Sequence, residues 1–127
     1  MIQAVHHIAI IAGDYQRSKK FYTELLGLEP IREVYRKERN SWKLDLALNG
    51  KYIIELFSFP DSPARPSRPE AMGLRHLAFA VTNLEQAISS LQRKGVEVEP
   101  IRTDEYTGKR FSFFQDPDGL PLELYEQ

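Results

Sequence analysis

The stretch VHHIAIIAGD, Val5–Asp14, is followed 69 positions later by a second copy, LRHLAFAVTN, Leu74–Asn83. The copies align His7 with His76, Ala9 with Ala78, and Asp14 with Asn83. Each has the pattern of a short apolar strand that carries one inward-facing histidine and ends in a residue able to cap a helix. A repeat at this distance predicts that the chain consists of two similar halves.

The composition narrows the classes of function. The 127 residues are 42% hydrophobic and 28% charged, with a formal net charge of −1 and no cysteine. This length fits one domain, or two small modules that share one core. The charge balance argues against a nucleic-acid partner, and no apolar run approaches the length of a membrane span. The missing cysteines exclude disulfides, thiolate ligands and a cysteine nucleophile. No export-signal pattern is present, so we expect a cytoplasmic protein.

The first half predicts one helix and four strands. After the strand in the repeated stretch, Asp14 is the expected N-cap of a helix over Tyr15–Leu26, which Gly27 ends. Strands are predicted over Ile31–Glu38, Trp42–Leu48 and Tyr52–Phe59, with Asn49-Gly50 as a hairpin turn. In the middle strand of these three, apolar residues alternate with Lys43, Asp45 and Ala47. One face of this strand is therefore expected to be core, with these three residues on the other.

The second half repeats this order after a linker, Pro60–Gly73, that holds four of the eight prolines. The predicted elements are a strand over Leu74–Val81, a helix over Leu84–Lys94, strands over Val96–Thr103, Lys109–Gln115 and Leu120–Tyr125, and turns at Tyr106–Gly108 and Asp116–Gly119. The predicted fold class is α+β, with two tandem βαβββ modules, about 1–59 and 74–127, in a single domain of 1–127.

Each module also carries one glutamate in its last strand. Glu55 follows His7 by 48 residues, and Glu123 follows His76 by 47. A lone glutamate in a strand is ordinarily an exposed edge residue. If a pseudo-twofold axis relates the modules, however, the four side chains converge, and unpaired carboxylates buried there would be strongly destabilising. A divalent cation would remove this penalty, because two imidazoles and two carboxylates suit Zn²⁺, Ni²⁺, Co²⁺, Fe²⁺ or Mn²⁺. Hydrogen-bonded core histidines are the alternative.

Other polar residues offer weaker candidates. Strand alternation predicts that His6 and Arg75 point away from their neighbours His7 and His76, while small residues (Ala9, Ala78 and Ala80) leave room on the histidine face. Four basic residues could meet an anionic substrate or form solvated surface: Arg65, Arg68, Lys109 and Arg110. The chain has neither a G-x-S-x-G turn nor a glycine-rich phosphate loop, which argues against serine hydrolases and nucleotide-binding enzymes.

Four blocks in order make the chain similar to a known family. They are HIAIIAGDYQRSKKFYTELLGLEP (His7–Pro30), YIIELFSF (Tyr52–Phe59), GLRHLAFAV (Gly73–Val81) and FFQDPDGLPLELYE (Phe113–Glu126). In these blocks the chain resembles the vicinal oxygen chelate superfamily of glyoxalase I-like, bleomycin resistance and dioxygenase proteins. The resemblance implies curved mixed sheets around a metal-bearing cleft. It also implies one divalent ion (Ni, Co, Zn, Mn or Fe) bound by His7, Glu55, His76 and Glu123.

The resemblance further implies an activity. The complete ligand set favours a metal-dependent lyase or isomerase of the glyoxalase I (lactoylglutathione lyase) type, acting on a small hydroxy-carbonyl or thiol-adduct substrate. Glu55 or Glu123 would move the proton, and the metal would stabilise the enediolate. An Fe(II) dioxygenase, a thiol transferase and a non-catalytic binding or resistance protein are the alternatives on this fold. The linker 60–73 departs from glyoxalase I, and no glutathione carboxylate clamp is apparent. Relatives also lead us to expect a homodimer.

Overall fold

The computed structural model describes all 127 residues and divides them into two compact units, Met1–Ala64 and Arg65–Gln127. Each unit holds one four-stranded mixed sheet with a helix after its first strand. The sheets are not closed. The α+β class and the repeated βαβββ order predicted from the sequence are confirmed.

The first unit is built around a sheet with strand order β1-β4-β3-β2. Its elements are β1 (Ile8–Ala12), α1 (Tyr15–Lys20) continued by a π-helical turn (Phe21–Leu25), β2 (Glu29–Arg36), a 3₁₀ turn (Lys37–Arg39), β3 (Ser41–Leu48) and β4 (Lys51–Ser58). β1 runs parallel to β4, and the other neighbours are antiparallel. Asn49 and Gly50 both have positive φ, 51° and 79°, as the predicted hairpin turn between β3 and β4 requires.

The second unit repeats this topology with strand order β5-β8-β7-β6. Its elements are β5 (Leu77–Val81), α2 (Leu84–Arg93), β6 (Arg102–Thr103), β7 (Arg110–Gln115) and β8 (Pro121–Glu126). β5 runs parallel to β8, as β1 does to β4. No helix in the structure has the length and apolar character that crossing a bilayer needs.

The helices begin at the caps that the sequence predicts. The Asp14 carboxylate accepts a hydrogen bond from the Arg17 N–H at 3.1 Å, and the Asn83 side chain accepts one from the Gln86 N–H at 3.0 Å. Each bond satisfies a donor that the first turn of a helix leaves without an intrahelical partner. The helical segments then bury apolar side chains against their sheets, among them Tyr22 in the first unit and Leu84 in the second.

Two expectations about strands are wrong. The strand predicted over Val96–Thr103 is reduced to β6, because Pro100 has no N–H to donate to a ladder. Glu99 still contacts β7, where its N–H donates to the Phe113 carbonyl at 2.9 Å. On β3, Asp45 and Ala47 are buried, at 1% and 4% exposure, rather than on an open face. Leu44 and Leu46 on the opposite face of this central strand are fully buried as well, so both faces of β3 are covered at these positions.

Candidate functional site

In the first unit, the strand register brings one histidine to one glutamate. His7 directly precedes β1, whose Ile8 pairs with Ile54 of the parallel strand β4. Glu55 is the next residue of β4 and therefore lies opposite Ala9. The His7 Nε2 atom is 3.7 Å from the Glu55 Oε1 atom. The glutamate side chain is 15% exposed and the histidine 36%, so the pair is at the surface of its unit with the carboxylate mostly covered.

The second unit repeats this arrangement. His76 precedes β5, Leu77 pairs with Leu122 of β8, and Ala78 lies opposite Glu123. The His76 Nε2 atom is 3.5 Å from the Glu123 Oε1 atom, with exposures of 28% and 12%. The structure thus joins the sequence-predicted residues in two pairs, each built by the parallel pairing of the first and last strands of a unit.

The two separations bear on whether a metal ion fits. Both are longer than an ordinary hydrogen bond between nitrogen and oxygen. Two ligands about 2.1 Å from one tetrahedral ion lie about 3.4 Å apart. The donor chemistry and the spacing of each pair therefore suit two ligands of one divalent cation. Neither unit by itself gathers three or more histidine, aspartate or glutamate side chains into a metal-binding group.

The residues before the two histidines do not point away as strand alternation predicts. His6 Nδ1 is 2.9 Å from His7 Nδ1, and an Arg75 guanidinium nitrogen is 3.2 Å from His76 Nδ1. The prediction is wrong because β1 and β5 begin one residue after the histidines, at Ile8 and Leu77, and alternation does not extend to the residues before a strand.

The Arg75 contact has a chemical consequence for His76. A guanidinium can only donate, so His76 Nδ1 accepts and the proton of the neutral ring is on Nε2. A metal ligand needs a free lone pair at the coordinating nitrogen. Coordination through Nε2 therefore requires Arg75 to leave Nδ1, and Arg75 already has a second partner in Glu70, at 2.8 Å.

A polar network that the sequence did not reveal surrounds Glu55. The Glu55 Oε2 atom is 3.2 Å from Lys43 Nζ and accepts a hydrogen bond of 3.2 Å from the Tyr52 hydroxyl. Both donors also reach Asp45, at 2.7 Å from Lys43 and 3.0 Å from Tyr52, so the two carboxylates share the single proton of the Tyr52 hydroxyl. Arg32 donates to the other Asp45 oxygen at 3.2 Å. The Tyr52 ring stacks on His7, with 5.0 Å between centroids, so the network fixes both members of the first pair.

The network holds its charges in the ionised state. Burial of Asp45 opposes ionisation, yet the hydrogen bonds from Lys43 and Tyr52 outweigh it and keep the pKa of Asp45 below its ordinary value. Burial also disfavours the Lys43 ammonium, but its bonds to Asp45 and Glu55 raise its pKa. The pKa of Tyr52 is raised by burial and by its hydrogen bond to Asp45, so its hydroxyl remains a donor at neutral pH.

Glu123 lies in a different environment. In the register of β7 and β8, Phe113 occupies the place opposite Glu123 that Asp45 occupies opposite Glu55. The Phe113 ring packs edge-on against His76, with 5.1 Å between centroids. No tyrosine or lysine donates to Glu123, which lies 3.5 Å from His76 Nε2. The second carboxylate is therefore restrained by fewer contacts than the first.

The four basic residues considered from the sequence fall into two groups. Arg110 forms surface ion pairs with Glu85 and Glu126, and its neighbour Lys109 is exposed. Arg65 and Arg68 instead line a cleft in the second unit.

Comparison with known proteins identifies the family whose sequence model the chain matches and the proteins that it resembles. Residues 4–124 match the family model described as Glyoxalase/Bleomycin resistance protein/Dioxygenase superfamily. The chain is 64% identical to the protein YwkD of Bacillus subtilis over 127 residues, covering 100% of this chain and 99% of the relative. The crystal structure of a glyoxalase family protein from Enterococcus faecalis superposes with a TM-score of 0.91 at 53% identity, covering 98% of each chain.

More distant relatives have named activities. Lactoylglutathione lyase of Escherichia coli O157:H7 is 29% identical over 131 residues, covering 95% of this chain and 90% of that enzyme. A 2-epi-5-epi-valiolone epimerase from Actinomyces sp is 30% identical over 142 residues, covering 95% and 78%. A lyase and an epimerase are thus both among the proteins that this chain resembles.

Proposed function

Because the chain belongs to the Glyoxalase/Bleomycin resistance protein/Dioxygenase superfamily, we propose that it is a metal-dependent lyase or isomerase of the glyoxalase I type. The observation that carries this proposal is the duplicated histidine–glutamate pair, with Nε2–Oε1 separations of 3.7 and 3.5 Å. The substrate is a small molecule with two adjacent oxygens, such as a hydroxy-carbonyl compound or a thiol adduct of one.

The proposed ligands of the divalent ion are His7, Glu55, His76 and Glu123. Family members commonly use such an ion, and this mixed nitrogen and oxygen set suits Ni, Co, Zn, Mn or Fe. When bound, the ion acts as a Lewis acid that polarises the substrate oxygens and makes the neighbouring C–H more acidic. Small residues beside the carboxylates support access, because Ala9 and Ala78 lie opposite Glu55 and Glu123 and are themselves exposed.

Glu123 is the better candidate for the residue that takes the carbon-bound proton. A general base must come within hydrogen-bond reach of the proton, and donors that bind a carboxylate hold it in place and make it less basic. Glu55 accepts from Tyr52 and faces the Lys43 ammonium, so its position is fixed by neighbours. Glu123 has no such donors. In this assignment Glu55 remains a fixed anion, and Glu123 takes the proton and returns it to the adjacent carbon. The same transfer, with the proton returned to the original carbon, would be an epimerisation.

Metal uptake is the first test. Protein purified without a chelator or a histidine tag is analysed for metals, then dialysed against each of the five candidate ions. We expect one ion per set of four ligands and a large loss of affinity in His76→Ala. His6→Ala is the matched control, because it removes a histidine outside the set. It should weaken binding only about tenfold, the lower end of the range for loss of a residue that orients a ligand. Failure to take up any of the ions would refute the site.

Turnover is the second test. Lactoylglutathione formation from methylglyoxal and glutathione is followed after loading with Ni²⁺, Co²⁺ or Zn²⁺. We expect Glu123→Gln to lower kcat by at least about a hundredfold, within the range for loss of a general base. If no product forms with any ion, the protein does not catalyse this reaction. Metal binding is tested separately by the uptake experiment. Oxygen consumption with catechols under iron loading would instead indicate the dioxygenase.

A further inference from the structure

We propose that the arginine-lined cleft of the second unit binds an anionic group of the substrate, a carboxylate or a phosphate. This inference rests on the proposed function, which describes the end of the substrate that reacts. It adds the chemical class of the whole substrate, which would be a small organic acid or a phosphate ester. The cleft has a volume of about 290 Å³. Its lining includes four arginines, two glutamates and an apolar wall, among them Arg65, Arg68, Arg75, Arg102, Glu70 and Phe113.

Two of the arginines are committed to the protein. Arg65 donates to the carbonyls of Leu74 and Arg75, at 2.7 and 3.1 Å, and so anchors the linker to the start of β5. Arg75 forms a two-point ion pair with Glu70, with bonds of 2.8 and 3.2 Å. These contacts explain why the cleft has a defined wall even though it is built from a proline-rich segment.

The other two arginines are open to a ligand. No carboxylate lies within ion-pairing distance of Arg68, whose charge acts on Glu70 only at longer range. Arg102 is 3.7 Å from Glu99, with both side chains more than half exposed, so this pair is weak. Its guanidinium lies over the rings of Phe111 and Phe113, at 5.1 and 5.4 Å from their centroids. The faces of aromatic rings attract a guanidinium without using its N–H groups, which stay available to an oxyanion.

The charge balance of the cleft favours an anion. Four guanidiniums face two carboxylates, Glu70 and Glu99, which leaves two positive charges without partners. Arginine is also the side chain whose fork of N–H groups matches the oxygens of a carboxylate or a phosphate. A concave site with uncompensated arginines concentrates small anions more than a flat basic surface does.

Two residues connect the cleft to the proposed reaction site. Arg75 lines the cleft and contacts His76 Nδ1 at 3.2 Å, and Phe113 lines it and packs against the His76 ring. The cleft is therefore separated from the His76–Glu123 pair by the thickness of one side chain. This arrangement fits a short molecule with the acidic group at one end and the oxygens that react at the other.

The test measures anion binding directly, without turnover. Metal-free full-length protein is titrated with inorganic phosphate and, separately, with acetate at constant ionic strength. Binding is followed through the NMR signals of the arginine Nε–Hε groups. We expect saturable shifts for Arg68 and Arg102 with at least one of the anions. If only phosphate binds, the substrate is a phosphate ester. If only acetate binds, the substrate is an organic acid.

Variants make the result specific to the cleft. Arg68→Ala and Arg102→Gln should each weaken binding about tenfold, and Arg17→Ala, an exposed arginine of the first unit, should change it less than twofold. An amide spectrum that matches the unsubstituted protein shows that each variant is folded. Equal binding by all three variants, or unsaturable shifts shared by all arginines, would overturn the inference. Metal uptake by the same variants should be unchanged, so failure here is separable from failure of the metal site.

Discussion

Asp45 is 1% exposed on the central strand β3, and three side chains donate to its carboxylate: Arg32, Lys43 and Tyr52. We expect Asp45→Asn to lower the free energy of unfolding by about 2 kcal/mol, because it replaces the anionic partner of Lys43 and Arg32 with a neutral amide. Urea unfolding at pH 7 measures the change. Asp61→Asn, at an exposed position with positive φ that asparagine tolerates, is the control and should change stability by less than about 0.5 kcal/mol.

The same carboxylate predicts a pH dependence. Its pKa is below the ordinary value in the folded chain, so ionisation of Asp45 stabilises the folded state. This contribution is fully present above the unfolded pKa of about 4 and is lost as the pH falls through the lower folded pKa. The stability gap between the unsubstituted protein and Asp45→Asn should therefore be constant from about pH 5 to 8 and narrow below about pH 4. A gap that persists undiminished at low pH would contradict the assigned shift.

The two proposed carboxylate ligands should differ when they are neutralised in the metal-free protein. Glu55→Gln weakens an ion pair to Lys43 and a hydrogen bond from Tyr52, and should lower the free energy of unfolding by about 1 kcal/mol. Glu123→Gln removes no such bonds and should change it by less than about 0.5 kcal/mol. Thermal or urea unfolding of the two variants side by side checks this. Equal losses would remove the structural ground for treating Glu123 as the mobile base.

At the scale of elements, the helix caps are the most direct link from sequence to stability. Asn83→Ala removes the acceptor for the Gln86 N–H and should destabilise the protein by about 1 kcal/mol. Asn83→Asp keeps an acceptor and should restore most of the loss. Thr82→Ala, one residue earlier and exposed, is the matched control. The prediction fails if the alanine variants at 82 and 83 unfold at the same urea concentration.

The elements that local chemistry specifies could be predicted from the sequence. The caps at Asp14 and Asn83 and the turn at Asn49-Gly50 depend on residues within a few positions of one another, and all are confirmed. The strand over Val96–Thr103 was overpredicted, because the apolar pattern outweighed the missing N–H of Pro100.

The network around Glu55 could not be predicted, because it depends on pairing between strands. A regular two-residue hairpin at Asn49-Gly50 would place Asp45 opposite Ile54. A register shift between Leu46 and Ala47 places it opposite Glu55 instead. A shift of one residue reverses which side chains share a face, and nothing in the local sequence marks this one. The His–Glu pairs were accessible to sequence reasoning only because the duplication supplied a second copy.

At the scale of the molecule, exposed apolar side chains on the outer strands support a homodimer. Ile11 on β1 is 53% exposed, and Ile31 and Tyr35 on β2 are 54% and 46% exposed. β1 and β2 are the two outer strands of the sheet, so a partner that covers either one would bury part of this apolar surface. We expect light scattering at micromolar concentration to give twice the mass of the chain, and Ile11→Lys or Ile31→Lys to shift the population towards monomer. Tyr106→Lys, in an exposed turn, is the control. A monomer under these conditions would contradict the expectation.

The parallel pairing of β1 with β4 also has a kinetic consequence. β1 is the outer strand of its sheet and has ladder bonds on one side only, and β5 is placed in the same way. Outer strands open more readily than the hairpins beside them, without global unfolding. Opening of β1 would separate His7 from Glu55 while β3 and β4 stay paired. The dissociation rate of a bound ion would then be limited by the rate at which this edge strand opens. Amide protons of β1 and β5 should exchange with solvent faster than those of β3, and saturating ion should slow them.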